Sequence, residues 1–523
     1  MPKPARNQGV LALDIGTSSV RAVIYDPRGR MLEPTYCDLP YKVRTTEPGE
    51  VSSQPDALVT LIARSIDGAL KVARRDKVEI LAAGASCYWH SLMGVDRSGR
   101  PTTELLTWAD TRSTLETRRL RTHFDERAYH ARTGCFFHAS YWPAKLRWLR
   151  ATRPAPVRRT ARWISLAEYL YQQLLGDSPV SYSIASGTGL LDVNRCQWDE
   201  AALRLAGIGV KDLSPLRDWD QPLHSLRPSF ARRWPELRKI PWYLPLGDGA
   251  LANVGAGAMS PRWVCATIGT SGALRVMLER DRVTVPWGTF VYRLDRRRFV
   301  LGGALSEGGN VMRWFTDGLG LHHKKALQRA AAAIPPDSHG LTVLPFWAGE
   351  RSPNWRGDAR AVIAGLSLGT QPAQMLRAAM EAITYQLATV ASAMQRVINR
   401  PESVIATGGQ LVNSPAWSQM LADALNLRVM TSSEPEASSR GAALLVLHSL
   451  GKLPRLWSTR PPRGRTFRPH PRVHAIYEGA RRRQQHLYDR LFPPLGRPAL
   501  STPSAAAGSS SKTKDLRSPA ARH

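Results

Sequence analysis

"LALDIGTSSVRAVIYD", residues 11–26, and "VCATIGTSGALRVML", residues 264–278, share one pattern: an apolar strand, a tight turn of small and hydroxylated residues, and a second strand. In the first copy Gly16 permits the turn, and Thr17, Ser18 and Ser19 offer hydroxyl and N–H donors where the chain reverses. Asp14 ends the first strand with an acceptor-only carboxylate suited to a magnesium ion or its waters, and Arg21 adds a cation nearby. The second copy has Thr267 in place of the aspartate and keeps Gly269, Thr270, Ser271 and Gly272. One such turn alone is what ordinary hairpins are made of. Two of them, opening two halves of similar length, point to donor-lined turns that face each other across a cleft and hold a polyphosphate.

The bulk properties bound the reading. At 523 residues the chain exceeds what one core usually organises, so two domains are expected. Hydrophobic residues make up 43%, and no stretch approaches the ~20 apolar residues of a membrane-spanning helix. The N-terminus runs into the first strand without a secretory apolar core, so a soluble, cytoplasmic protein is expected, with no membrane partner. The five cysteines, Cys37, Cys87, Cys135, Cys196 and Cys265, lie far apart with no Cys-x-x-Cys pair, which reads as reduced thiols. The net charge of +30 raises nucleic-acid binding as one class. Its basic runs, such as Arg296–Arg298 and Arg481–Arg483, are short, scattered and without aromatic interleaving. They read as solvated surface whose potential gathers small anions, with no specific nucleic-acid partner.

Strand-like runs alternate with helical patterns, the rhythm of an α/β fold. A helix is expected over 53–70, capped by Ser53, with Leu58, Leu61, Ile62 and Ile66 on one face. A longer one is expected over 370–398, opened by Thr370 and Pro372, with Leu376, Met380, Ile383, Leu387, Val390 and Met394 as its buried stripe. The tail, 499–523, is Ser/Ala/Pro-rich and expected to be disordered.

Three further stretches carry chemistry. "LPLGDGALANVGAG", residues 244–257, sets Asp248 between two glycines after an apolar strand and before a small-residue helix. Such an aspartate is a turn or helix cap, or a carboxylate exposed at a cleft with little side chain around it. "VIATGG" is a buried strand ending in Gly408 and Gly409, where a flat base or ribose can approach the backbone, and Asn413 stands just before a helix expected from about Ser414 to Leu425. "SCYWHSLMGVD" and "LLTWADTRS" put His90, Trp108, Asp110 and Arg112 near strand ends. Carboxylate and imidazole can bond sugar hydroxyls, an indole can cover a carbon backbone, and arginine can pair with a carboxylate.

Taken together, the two turns, "ATGGQLVNSPAWSQMLADAL" and "EASSRGAALL" resemble the phosphate and adenosine motifs of the FGGY carbohydrate kinases, in the family's order and from about residue 9 to 495. The resemblance implies an α/β fold of two actin-like (ribonuclease H-like) domains with an ATP cleft between them. It divides the chain into an N-terminal extension (1–8), a sugar-binding domain (9–258), a second domain with the adenosine site (259–498) and the tail. It implies Asp248 as catalytic base and substrate contact, ATP and Mg2+ as cofactors with Asp14 organising the metal, and ATP held by Gly16, Thr17, Ser18, Arg21, Gly269, Thr270, Ser271, Gly408, Gly409 and Asn413.

His-Ser-Leu-Met with Trp-Ala-Asp-Thr-Arg, and residues 292–315, are similar to the gluconate kinases of the family. D-gluconate, phosphorylated on a terminal hydroxyl, is therefore the expected substrate, held by His90, Trp108, Asp110 and Arg112. Trp89 is bulkier, and Glu307 more acidic, than that pattern leads one to expect. A xylulose or other polyol kinase is the alternative within the family, and an actin-like nucleotide switch the alternative outside it. A homodimer stays open.

Overall fold

The first repeated stretch forms the middle of a five-stranded sheet. β1 (Gln8–Ile15) is buried from Gly9 onward and runs antiparallel to β2 (Ser19–Tyr25), with Asp14 opposite Arg21. β3 (Cys37–Pro40) extends that edge. On the other side β4 (Glu79–Cys87) lies parallel to β1, and β5 (Leu246–Gly247) parallel to β4. Nearly continuous apolar runs without alternation belong to a sheet covered on both faces. The register matters for function: Asp14 stands beside Ser86, and Ser86 beside Leu246. The C-terminal ends of three parallel strands therefore meet at one edge, with Asp248 two residues beyond Leu246. The computed structural model describes residues 7–493 except 322, 462 and 463, so most of the extension (1–6) and the tail (499–523) lie outside the described residues.

The second stretch forms the hairpin of β6 (Trp263–Ile268) and β7 (Gly272–Glu279) in a seven-stranded sheet. β8 (Phe290–Arg293) and β9 (Arg298–Leu305) continue it beyond β7. β10 (Ser403–Thr407) lies parallel to β6 with Thr407 beside Thr267, followed by β11 (Val429–Thr431) and β12 (Thr466–Phe467). The doubled motif is thus a doubled architecture: an antiparallel hairpin whose first strand continues into parallel pairing.

Helix identity follows the sequence pattern, while helix ends follow local hydrogen bonding. α1 (Pro55–Arg75) outlasts the expected span, and its cap position is Gln54, because Ser53 is held in a short strand opposite Leu105. α2 (Asp248–Gly255) begins directly after β5. α3 (Pro372–Met394) buries its whole expected stripe but is opened by Gln371 and Gln374 rather than Thr370, whose hydroxyl accepts from Ser367 N–H at 3.0 Å. α4 (Pro415–Leu425) starts where expected, with Ser414 Oγ accepting from Trp417 N–H. α5 (Ala437–Ser449) belongs by sequence to the second half yet packs on β1 and β4 of the first sheet and shares its core through Ala442–Leu447. All five cysteines are free, with Cys37 half-buried and the others buried. No described helix is long and apolar enough to cross a membrane.

Candidate active site

The carboxylate of Asp248 projects from the first turn of α2 at the seam between the two sheets. Gly249 N–H donates to Oδ1 at 2.7 Å, and the residue is half-buried. Burial pushes its pKa up to about 6; the Arg275 guanidinium opposes that rise and the Asp14 carboxylate adds to it. Arg275 comes from β7 in the other sheet. It donates to Thr267 Oγ1 at 2.8 Å and to Asn253 Oδ1 of α2 at 3.3 Å, which ties the seam together.

Asp14 is buried, and its pKa is raised by burial against the pull of Arg21, whose guanidinium donates to Oδ2 at 2.9 Å. Arg21 also lies 3.4 Å from Asp38 and 3.8 Å from Glu436. Next to Asp14 in the sheet, the buried hydroxyl of Ser86 bonds the Asp14 carboxylate and, with Arg21, opposes the rise in its pKa. The buried Asp14 carboxylate, with the Asp248 carboxylate close enough for its charge to be felt, offers oxygen donors, which fit Mg2+ better than a softer metal.

Both turns present unused donors. The first is closed by Gly16 N–H to Ser19 O at 3.0 Å and the second by Gly269 N–H to Ser271 O at 3.0 Å. The side chains of Thr17, Ser18, Thr270 and Ser271 stand half-buried to exposed, making no hydrogen bond among the described residues. A glycine loop wraps the second turn: Gly309 N–H donates to Gly269 O at 2.7 Å and Asn310 N–H to Thr270 O at 3.1 Å. Gly408 has φ +80°, and a Cβ there would lie 2.6 Å from Ile268 O, so only glycine lets this bend pack on the turn. Gly409 beside it is open, its nearest neighbour being Asn413 Nδ2 at 3.6 Å from an added Cβ. The two glycines, Asn413 and the second turn thus share one end of the cleft.

On the acceptor side, His90 has φ +69° and its Nδ1 faces Gly187 O within hydrogen-bond distance. A carbonyl only accepts, so Nδ1 carries the proton and Nε2 is left as an acceptor. Burial, helped by Arg351 and Lys145, holds the ring neutral. Lys145 is wholly buried and donates to His90 O at 2.9 Å and Thr107 O at 2.7 Å, fixing the segments that carry His90 and Trp108. The hydroxyls of Tyr141 and Tyr292 meet at 2.6 Å, with both rings edge-on to His90. Half-buried Trp108 faces the guanidinium of Arg351 at 5.2 Å.

Comparison with known proteins fits this geometry. Residues 9–255 match the N-terminal domain, and 264–450 the C-terminal domain, of the FGGY family of carbohydrate kinases. The chain belongs to that family. It is 28% identical over 473 residues to a gluconokinase of Bacillus subtilis (strain 168), covering 88% of this chain and 91% of the relative. Among solved structures it is similar to a gluconate kinase and to a ligand-bound xylulose kinase, both from Lactobacillus acidophilus. Each has a TM-score of 0.85 and 24% identity, spans 98% of the solved chain, and covers 93% and 92% of this one respectively. The fold is therefore the two-domain actin-like fold of the FGGY kinases, and the protein is a phosphotransferase that takes its phosphate from ATP and passes it to a carbohydrate.

Within this FGGY kinase the sequence-derived site divides. Asp14, Arg21 and Asp248 come together, and Gly269–Ser271 gather with Gly408, Gly409 and Asn413. Asp110 and Arg112 do not open toward a ligand. Arg112 donates to Asp110 at 2.8 Å and Glu104 at 3.1 Å and lies over Trp148, while Asp110 also accepts from Val51 N–H. A guanidinium already neutralised by two carboxylates has little attraction left for a third, which corrects the expectation that Arg112 pairs with a substrate acid.

The glycines flanking Asp248 have another cause than exposure of the carboxylate. The indole of Trp89 fills the space beside them, and a Cβ on Gly247 or Gly249 would lie 1.9 or 2.6 Å from it. Trp89 is thereby a wall of the site, donating from Nε1 to Ser183 O at 2.9 Å. Sequence reasoning missed Arg275, Arg351, Tyr141, Tyr292 and Lys145. The paired glycines 308 and 309 were a visible signal for the loop over the second turn, while the others carry no local motif.

Proposed function

We propose that this kinase transfers the γ-phosphate of ATP to O6 of D-gluconate, giving 6-phosphogluconate, with Asp248 as general base. The observation that carries the mechanism is the half-buried Asp248 carboxylate at the seam of the two sheets, with a pKa of about 6. At neutral pH such a group is ionised, yet basic enough to take a proton from an alcohol as its oxygen bonds to phosphorus. Asp14 would hold Mg2+, which supplies charge neutralisation on the phosphoryl oxygens. The free hydroxyls and N–H groups of Thr17, Ser18, Thr270 and Ser271 suit the phosphates, with Arg21 held back by Asp14, and the open face of Gly409 with Asn413 suits the adenosine. His90 Nε2 accepts from a sugar hydroxyl and Trp108 covers carbon.

The preference for a sugar acid is supported by the likeness to the Bacillus gluconokinase across most of both chains. The test is coupled ADP release with D-gluconate, comparing the wild type with Asp248→Asn. A loss of 10²–10⁴-fold in kcat with unchanged ATP affinity is expected. A variant that keeps most of its turnover removes Asp248 from the role.

A further inference from the structure

Arg351 stands apart from the other buried cations. It lies in a loop of the second half, anchored where Ser352 N–H donates to Ala304 O at 2.9 Å and Ala304 N–H to Ser352 Oγ at 3.1 Å. The loop leans onto the first half, where the guanidinium lies 5.2 Å from the ring of Trp108, and it is 5.4 Å from the ring of Trp355 in its own loop. Arg351 is 9% exposed and its Nε has no partner. Among the described residues its side chain makes no hydrogen bond or salt bridge, whereas buried Arg275, Arg293 and Arg377 each have protein partners.

A buried charge without a partner is costly unless a ligand supplies one. Two buried acids of the same region, Glu307 and Glu350, do not pair with it. Glu307 accepts from Ala348 N–H and is pushed up to about 8 by burial, and Glu350 is held by Tyr488 and Asn354 and pushed up to about 7. Contact with the Trp108 ring places Arg351 on the acceptor side of the cleft.

We propose that Arg351 receives the carboxylate of a sugar-acid substrate and thereby selects acids over neutral polyols. This rests on the sugar-acid reading above. The guanidinium lies over two indole rings and bonds no protein acceptor among the described residues, which leaves its fork of N–H donors for two carboxylate oxygens. The loop of Arg351 and the segment of His90 come from opposite halves, so a sugar acid held by both would be gripped from each side of the cleft.

The test compares D-gluconate with D-glucitol, which has the same carbon skeleton without the carboxylate, in the wild type, Arg351→Gln and Arg351→Lys. Arg351→Gln is expected to raise KM for gluconate about 100-fold while glucitol kinetics and KM for ATP change less than threefold, with Arg351→Lys between. Equal losses on both substrates, or a fall in kcat at unchanged gluconate KM, overturn the assignment and move Arg351 to structure or to the phosphoryl group. A measurement independent of any variant is wild-type affinity: D-gluconate should bind at least 30-fold tighter than neutral D-gluconamide, and equal affinities overturn the proposal. A wild type that phosphorylates a neutral ketose or polyol and ignores gluconate overturns the sugar-acid reading itself, and the assignment with it.

Discussion

At the scale of single residues, Asp248 sets the pH behaviour. Its raised pKa means the base is protonated below about 6, so kcat/KM should fall on the acid side with an apparent pKa near that value. Arg275 is the cation that restrains the rise, so in Arg275→Met the acid limb should move to higher pH; a pH–rate profile that stays in place contradicts the role given to Arg275. The same shift bears on stability. An acid whose folded pKa is raised opposes folding once pH climbs from the ordinary carboxylate range through 6. Asp248→Asn should therefore melt higher than the wild type at pH 8 by an amount on the order of 1–3 kcal/mol, and no higher at pH 4, as thermal unfolding at the two pH values will read. Asp14 and Asp248 were legible in the sequence because each ends an apolar strand before a turn or helix. Arg275 and Arg351 were not: their significance lies in which buried charges they face, and that is set by strand pairing and by a loop crossing between halves. Arg112 was misread for the same reason, since a sequence does not display that Asp110 and Glu104 already occupy it.

At the scale of elements, the two glycines after β10 have different duties. Gly408→Ala puts a side chain at φ +80° against Ile268 O and should cost about 1–3 kcal/mol of stability as well as ATP affinity. Gly409→Ala meets no hard contact and should leave the melting temperature within about 0.5 kcal/mol while raising KM for ATP. Equal melting losses in the two variants would contradict the distinction. Helix cores were legible from apolar spacing, as the stripe of α3 illustrates. Their ends were less so, because Ser53 and Thr370 had competing partners in a short strand and in the Ser367 turn.

At the scale of the molecule, the repeated hairpin was the most informative feature, since it announced two sheets of one design. What it did not announce is that α5 returns from the second half to cover the first sheet, so the two halves are joined through α2 and α5 as well as by the chain. Closure about that seam would bring the loop of Arg351 and the second phosphate turn toward Asp248 and exclude water. Sugar-free ATP hydrolysis should then be a small fraction of sugar-stimulated turnover. Scattering should report a smaller radius of gyration with sugar and a non-hydrolysable nucleotide together than with either alone; an unchanged radius would contradict closure.

The most direct measurement is coupled ADP release with Mg-ATP against D-gluconate, D-xylulose, L-ribulose, glycerol and erythritol, run for the wild type and Asp248→Asn. Strong stimulation by gluconate, lost in the variant, is the predicted result. Stimulation by another member of the panel instead would contradict the substrate, and turnover that survives in Asp248→Asn would contradict the base.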